Sequence, residues 1–164
     1  MLQISEMTSG HWADVSRIYL EGILTGQATF QTESPAWEAW DHGHTPDCRL
    51  IGAEGDDILG WAALTPISGR CVYAGVAEVS VYISEMARGQ GVGTALLKAL
   101  IDASEASGYW TLQASIFPEN RASIRLHQTA GFRIAGHRER IGQMNGVWRD
   151  TLILERRSKI IGIN

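Results

Sequence analysis

Residues 78–94 read EVSVYISEMARGQGVGT, and this stretch decides the fold. Val76 to Ile83 alternates and is rich in valine, which is typical of a β-strand. A glycine-rich loop follows from Arg88 to Thr94. Leucines then recur at helical spacing over Gly93 to Ser107, with Gly108 placed to end that helix. The stretch therefore predicts a strand, a glycine loop and a helix in sequence.

The glycine loop is suited to an anion. Glycines let backbone N–H groups approach a ligand without a Cβ in the way, and a helix N-terminus adds favourable potential. The loop is not a P-loop, because no Gly-Lys-Ser/Thr follows it. A Rossmann dinucleotide site is disfavoured, since the acidic residue expected about twenty residues further on is missing. The pattern favours some other phosphate-bearing ligand.

Two helices and a hairpin are predicted before this stretch. Thr8 or Ser9 can cap a helix that runs to about Ile23. Ser34 followed by Pro35 indicates the start of a short second helix through Trp40. Residues 49–54 and 58–64 are expected to form antiparallel strands, because residues 55–57 are typical of a tight turn.

The sequence after the stretch completes a mixed α+β domain. A strand is predicted over residues 110–117 and a helix over residues 121–130, closed by Gly131. Strands follow from Phe132 onward and turn at Asn145-Gly146. No internal repeat or linker interrupts the chain, so residues 1–164 are expected to form one domain.

Composition narrows the classes of function. The 164 residues are 45% hydrophobic and 20% charged, as in a soluble globular domain. The net charge of -4 supplies no overall attraction for nucleic acid. The N-terminus has no basic patch before an apolar run, and no 18 uncharged apolar residues follow one another, so neither secretion nor membrane spanning is expected. Cys48 and Cys71 lack metal-ligand spacing, so each is expected to be reduced and partly buried. A cytoplasmic protein without a metal is predicted.

Two motifs resemble those of the GNAT acetyltransferases. The glycine loop is similar to the acyl-CoA loop of that superfamily, and it reads Arg88-x-x-Gly91-x-Gly93. The second motif resembles a signature in which Gly-Phe closes a helix before a strand, and it reads Asn120-x-x-Ser123-x-x-Leu126-His127-x-x-Ala130-Gly131-Phe132. Two motifs in this order are much more specific than either one alone.

The resemblance covers nearly the whole chain and is nearest to the phosphinothricin and methionine sulfoximine acetyltransferases. Three stretches carry that narrower likeness: residues 29–33, residues 78–82, and residues 138–142 together with 148–150. The resemblance implies the GNAT fold, a mostly antiparallel mixed sheet flanked by helices. It also implies acetyl-CoA as co-substrate and a small amino-acid-like acceptor whose amino group is acetylated.

The same resemblance implies a cofactor-binding set. The strand residues of this set lie along the pantetheine arm, the loop wraps the pyrophosphate, and the asparagine contacts CoA. The implied residues are Val81, Tyr82, Ile83, Arg88, Gly89, Gln90, Gly91, Val92, Gly93, Thr94, Asn120 and Ser123.

Glu78 is the candidate general base. Acetyl transfer to an amine needs a neutral nitrogen, so a carboxylate that removes a proton accelerates the reaction. Glu78 begins the strand that leads into the glycine loop, and the resemblance implies the same role. The alternative is that Glu78 is an exposed strand residue in a surface ion pair.

His127 stands where many GNAT enzymes carry a tyrosine acid, so it could protonate the departing thiolate or relay a proton. The alternative is a helix histidine that only packs or forms a hydrogen bond. A backbone N–H on the strand of Val81 and Tyr82 is expected to stabilise the oxyanion.

The candidate substrate-binding residues form two segments. By resemblance to the branch they are Phe30, Thr32 and Glu33, and the loop Arg70, Cys71, Val72 and Tyr73. Arg70 would pair with an acceptor carboxylate through two hydrogen bonds. The alternatives are that Phe30 is a core residue and that Arg70 is solvated at a loop tip.

Two other functions remain open from the sequence. In the first, the protein is a GNAT enzyme whose acceptor is a protein N-terminus or a lysine. In the second, it is an acyl-CoA-binding module without catalytic turnover. Retention of both Glu78 and His127 argues against the second of these. The hairpin from Arg138 to Arg156 is apolar at alternate positions, so it is expected to pack on a second copy as a homodimer.

Overall fold

The computed structural model describes residues 1–164, which form seven strands and four α-helices. The strands are β1 (Gln3–Glu6), β2 (Leu50–Glu54), β3 (Asp57–Pro66), β4 (Val76–Ile83), β5 (Thr111–Ile116), β6 (Arg133–Met144) and β7 (Val147–Arg157). The helices are α1 (Trp12–Leu24), α2 (Trp37–Gly43), α3 (Val92–Ala106) and α4 (Arg121–Thr129). One sheet contains all the strands in the order β1-β2-β3-β4-β5-β7-β6.

Every strand pair in the sheet is antiparallel except β4–β5, which is parallel. This confirms the predicted mixed, mostly antiparallel sheet. No helix has the length and apolar character needed to cross a membrane.

Strand β3 carries a core on each of its faces. Trp61 and Ala63 pack with residues of α1 and α2, whereas Ala62 and Leu64 pack with the leucines of α3. The period of two along a strand explains this division, because successive side chains point to opposite sides of the sheet. All four residues are fully buried. The two cores hold β3 and its neighbour β4 as a rigid frame between the helices.

The sheet opens between β4 and β5. These strands pair only where Val76–Glu78 lies beside Thr111–Gln113. Beyond Glu78, that edge of β4 has no strand partner, whereas β5 continues its pairing with β7 as far as Ile116. The separation of the strands leaves space next to Glu78, and it positions the site described below.

The structure confirms three predicted units: the β2–β3 hairpin, the strand, glycine loop and helix of β4 and α3, and the β6–β7 hairpin. The C-terminal turn has positive φ at Asn145 (51°) and Gly146 (78°), as an Asn-Gly hairpin turn requires. Strand β1 was not predicted. It is a four-residue edge strand whose pairing with β2 comes from tertiary contacts rather than from a long alternating pattern.

Two local predictions were wrong. The second helix begins at Trp37 and not at Pro35, because Ala36 is extended and the Ser34 hydroxyl lies 2.8 Å from the Ser16 hydroxyl instead of capping the helix. Cys71 is exposed rather than partly buried, since it lies in a short 3-10 turn at the surface. Both cysteines are free.

Candidate active site

The glycine loop leaves free donors at the start of α3. Gly91 adopts φ +84° and ends the loop in the left-handed region, which favours glycine. The first hydrogen bond into the helix runs from the Ala95 N–H to the Gly91 carbonyl. The backbone N–H groups of Val92, Gly93 and Thr94 therefore have no acceptor within the protein. They can bind a pyrophosphate, with the helix dipole adding to the attraction.

A groove of about 560 Å³ starts at this loop and runs between β4 and α4. Among the predicted cofactor residues, Gln90 alone does not line it, and its amide donates to the Met86 carbonyl at 2.9 Å. The predicted residues that do line it are Val81, Tyr82, Ile83, Arg88, Gly89, Gly91, Val92, Gly93, Thr94, Asn120 and Ser123. The groove thus combines the residues of an extended strand with free backbone donors at a helix N-terminus, which suits an extended ligand that carries phosphate groups.

Tyr82 forms a rigid part of the groove wall. Its ring stacks on Trp61 with centroids 4.9 Å apart and an interplanar angle of 16°. A Cβ at position 22 of α1 would lie 2.7 Å from the Tyr82 ring, so Gly22 permits this close packing. Burial raises the pKa of the Tyr82 hydroxyl, which keeps it protonated.

A second cavity of about 480 Å³ occupies the opening between β4 and β5. Its walls come from β4, β5, α4, the C-terminal hairpin and the segment Ala28–Phe30. It shares its lining with the groove at Ala28, Val81, Tyr82, Asn120 and Ser123. The groove and the cavity therefore meet alongside β4.

Glu78 lies in this second cavity and is partly buried. Its Oε1 accepts hydrogen bonds from the Ser115 hydroxyl at 2.7 Å and from the Gln113 amide at 3.3 Å. Both donors stand on β5: Gln113 is the register partner of Glu78, and Ser115 lies two residues further along the strand. Glu78 forms no ion pair, so the structure does not show the surface pairing considered as its alternative role.

His127 also lines the cavity and is buried, with 5% of its surface exposed. Its Nδ1 lies 2.7 Å from the Ser123 carbonyl, so Nδ1 carries a proton and donates it. Burial lowers the pKa of the imidazole, and the bond to Ser123 opposes this only in part. A neutral ring of this tautomer has an acceptor at Nε2. Nε2 can therefore accept a proton and afterwards donate it to another group.

Of the predicted substrate residues, some line the cavity and others do not. Phe30 lines the cavity and packs edge-on against Phe117, with ring centroids 4.9 Å apart. Thr32 and Glu33 are exposed and do not line it. The loop Arg70–Tyr73 is also exposed and outside the lining, and the Arg70 guanidinium lies 5.6 Å from the centre of the Tyr73 ring. Within one chain, only Phe30 of this set reaches the cavity.

The C-terminal hairpin contributes cavity residues that sequence reasoning missed, namely Arg138, Ile141, Gly142 and Thr151. Arg149 was missed as well. It donates to the Gly26 carbonyl and to the Gln27 side chain, each at 2.9 Å, and its guanidinium lies 4.0 Å from the centre of the Phe117 ring. All of these residues except Thr151 lie in the stretches that resemble the phosphinothricin branch, but no local pattern indicates that they reach the site.

The sequence profile of the Acetyltransferase (GNAT) family matches residues 12–132, from the start of α1 to the residue before β6. The protein belongs to the GNAT family. The family, its relatives and the groove together identify an acetyl-CoA-dependent N-acetyltransferase. The GNAT match confirms the predicted enzyme class. No group of three or more His, Cys, Asp or Glu side chains that could hold a metal ion is present.

Several GNAT proteins are similar to this chain. Phosphinothricin N-acetyltransferase of Alcaligenes faecalis is 32% identical over 152 residues, which cover 87% of this chain and 75% of that protein. The L-methionine sulfoximine/L-methionine sulfone acetyltransferase of Pseudomonas aeruginosa is 37% identical over 102 residues, which cover 60% of this chain and 58% of that protein.

A GNAT phosphinothricin acetyltransferase from Sinorhizobium meliloti, crystallised in complex with acetyl-CoA, has a TM-score of 0.88 against this structure. It is 25% identical, and the match covers 99% of this chain and 91% of that chain. These likenesses confirm the predicted GNAT fold and acetyl-CoA as co-substrate.

Proposed function

We propose that the protein acetylates the α-amino group of a small amino-acid-like acceptor of the phosphinothricin, methionine sulfoximine or methionine sulfone type. The observation that carries this proposal is the cavity beside β4, which contains Glu78 and meets the acetyl-CoA groove at Val81 and Tyr82. Its volume of about 480 Å³ is in the range of small-molecule sites. The names of the relatives support this class of acceptor.

In this proposal Glu78 is the general base. The acceptor amine is mostly protonated near neutral pH, and only the neutral amine can attack a carbonyl. Acetyl-CoA supplies the activated acyl group. Ser115 and Gln113 orient the Glu78 carboxylate by donating to its Oε1, which leaves Oε2 free to take the ammonium proton. The amine nitrogen then bonds to the acyl carbon, whose carbonyl oxygen becomes an oxyanion, and the carbon–sulfur bond breaks when the carbonyl re-forms.

We assign the second proton of the attacking nitrogen to a relay through His127. The buried imidazole is neutral, so its Nε2 can accept this proton and pass it to the departing thiolate. The oxyanion would be held by a backbone N–H of β4 near Val81 and Tyr82. This strand edge has no strand partner beyond Glu78, which leaves its backbone groups available.

A homodimer is also part of the proposal. Strand β6 is the edge of the sheet, and large apolar side chains on the C-terminal hairpin are exposed: Ile134, Ile141, Val147 and Trp148. A second copy would cover these side chains. Sedimentation of the purified chain as a monomer would contradict this assembly. The cytoplasmic location and the absence of nucleic-acid and membrane partners stay predictions.

The test is CoA release by the purified chain with acetyl-CoA and a panel of free amino acids that includes the three proposed acceptors. Saturable turnover with one of them is expected. Turnover only with peptides would support a protein acceptor instead. Acetyl-CoA binding without any turnover would support the non-catalytic module.

The role of Glu78 is tested by Glu78→Gln. Loss of a general base lowers turnover roughly 10²- to 10⁴-fold, while acetyl-CoA binding should be unchanged because Glu78 does not line the groove. Glu38→Gln on the exposed face of α2 is the matched control and should behave as the wild type. Unchanged turnover in Glu78→Gln would rule out the base assignment.

A further inference from the structure

Arg138 is the one arginine or lysine in the lining of the acceptor cavity. The other ionisable groups of the lining are Glu78, which we assign as the base, the neutral His127, and Tyr82, whose buried hydroxyl stays protonated. The Arg138 guanidinium forms no ion pair and no hydrogen bond with any other side chain. Two other arginines of β6 do form ion pairs, Arg133 with Glu155 and Arg140 with Glu139. Arg138 is exposed to solvent and has no protein partner, and it lines the acceptor cavity from its open side.

A bulge in β6 explains why Arg138 reaches the cavity together with Ile141 and Gly142. Side chains alternate along a regular strand, so residues 138 and 141 would face opposite sides of the sheet. Here the register with β7 breaks, and Asp150 lies opposite the extra residues of β6. Because of this break, Arg138, Ile141 and Gly142 all line the same cavity.

Asp150 holds the bulge in this shape. One carboxylate oxygen accepts the backbone N–H of Arg140 at 2.7 Å, and the other lies 2.7 Å from His137 Nε2. The bond from Arg140, followed by that from His137, holds the pKa of Asp150 below its usual range. Arg140 adopts φ +45°, a conformation that these contacts maintain. The position of Arg138 is thus set by a side chain on the neighbouring strand.

We propose that Arg138 binds the carboxylate of the acceptor, on a β6 bulge that Asp150 holds in place. A guanidinium presents paired N–H donors that match the two oxygens of a carboxylate. Bound there, the carboxylate would lie in the same cavity as Glu78, which must receive the proton of the neighbouring amino group. This inference rests on the proposed amino-acid acceptor and replaces Arg70 as the anion-binding residue.

The test compares acceptors that differ only in the carboxylate. CoA release by the full chain is measured with whichever proposed amino acid it turns over, and with the primary amide of that amino acid. In the wild type we expect the acid to have a kcat/KM roughly 10- to 100-fold above that of the amide, as for a charged hydrogen-bonded pair. Arg138→Gln should remove this preference, and Arg138→Lys should restore part of it.

Arg140→Gln is the matched control, because it removes the same charge from the same bulge but does not line the cavity. It should keep the wild-type preference. The acetyl-CoA KM reports whether each variant is folded. A wild-type preference that survives in Arg138→Gln overturns the proposal, above all if Arg70→Gln loses it. Absence of turnover by the wild type on any free amino acid would instead overturn the proposed function, and this inference with it.

Discussion

The groove that we assign to acetyl-CoA and the cavity that we assign to the acceptor share part of β4, but they are built in different ways. The anion-binding end of the groove comes from one continuous segment, Arg88–Thr94, and its donors are backbone N–H groups. The cavity takes its walls from segments that are far apart in the chain, between Ala28 and Thr151, and its chemistry is carried by side chains. The groove should therefore be sensitive to backbone changes, and the cavity to the contacts that hold its segments together.

Arg149→Met should have the largest effect and should act on the cavity. Arg149 joins the C-terminal hairpin to the Gly26–Gln27 segment, and its side chain is only 14% exposed. Removing its charged hydrogen bonds should lower the free energy of unfolding by about 2 to 4 kcal/mol. The acceptor KM should rise more than the acetyl-CoA KM, because Phe30, close to this segment in the chain, lines the cavity and not the groove. Chemical denaturation and steady-state kinetics measure the two effects.

Arg133→Met is the control for this variant. Arg133 is on the same hairpin, but its side chain is 69% exposed and paired at the surface. Its replacement should change the free energy of unfolding by less than about 1 kcal/mol. If Arg149→Met raises the acetyl-CoA KM as much as the acceptor KM, the groove and the cavity are not separable in this way.

Gly91→Ala should have a smaller effect, on the groove. A Cβ at this position meets no other atom within 4 Å, but the φ of +84° is unfavourable for any L side chain. The strain costs roughly 1 to 2 kcal/mol, so the acetyl-CoA KM should rise roughly 5- to 30-fold. The acceptor KM should stay the same. Gly69→Ala, in a surface loop without a positive φ, should leave both values unchanged.

The smallest effect is a pH dependence of stability that arises in the cavity. Burial lowers the pKa of His127, so the folded state resists a proton that the unfolded state takes up. The neutral His127 therefore costs no stability above the unfolded-state pKa of about 6.5. As the pH falls below that value, the free energy of unfolding decreases by at most about 1.4 kcal/mol per pH unit. His127→Asn should reduce the loss of Tm between about pH 7.5 and about pH 5.5. Part of the loss should remain, since burial lowers the pKa of His44 too. An unchanged Tm difference would contradict this account.

One side of the groove could be predicted from the sequence, whereas no prediction placed lining residues such as Gly22, Gln27 and Arg125 there. Strand β4, its glycine loop and α3 are consecutive, so the order of residues also gives their order in space. All the predicted cofactor residues except Gln90 line the groove. Gln90 is the exception because its side chain turns back to the Met86 carbonyl, a local choice that no pattern indicates.

The acceptor cavity could be predicted only in part. Glu78, His127 and Phe30 were predicted for the site, and all three line the cavity. Arg70 was expected to bind the acceptor carboxylate because its loop resembles an amino-acid-binding segment of the branch, yet that loop lies outside the cavity. Arg138 reaches the cavity through a bulge that depends on Asp150, and a periodic pattern cannot place a bulge.

The sequence by itself determined the order of the elements, the GNAT resemblance and the anion-binding end of the groove, because each depends on contacts between residues close in the chain. Tertiary structure alone decided the opening between β4 and β5, the addition of β1 to the sheet, and the contribution of Arg138 and Arg149 to the site. These features depend on strand register and on hydrogen bonds between distant segments, whose partners are settled only when the whole sheet has formed.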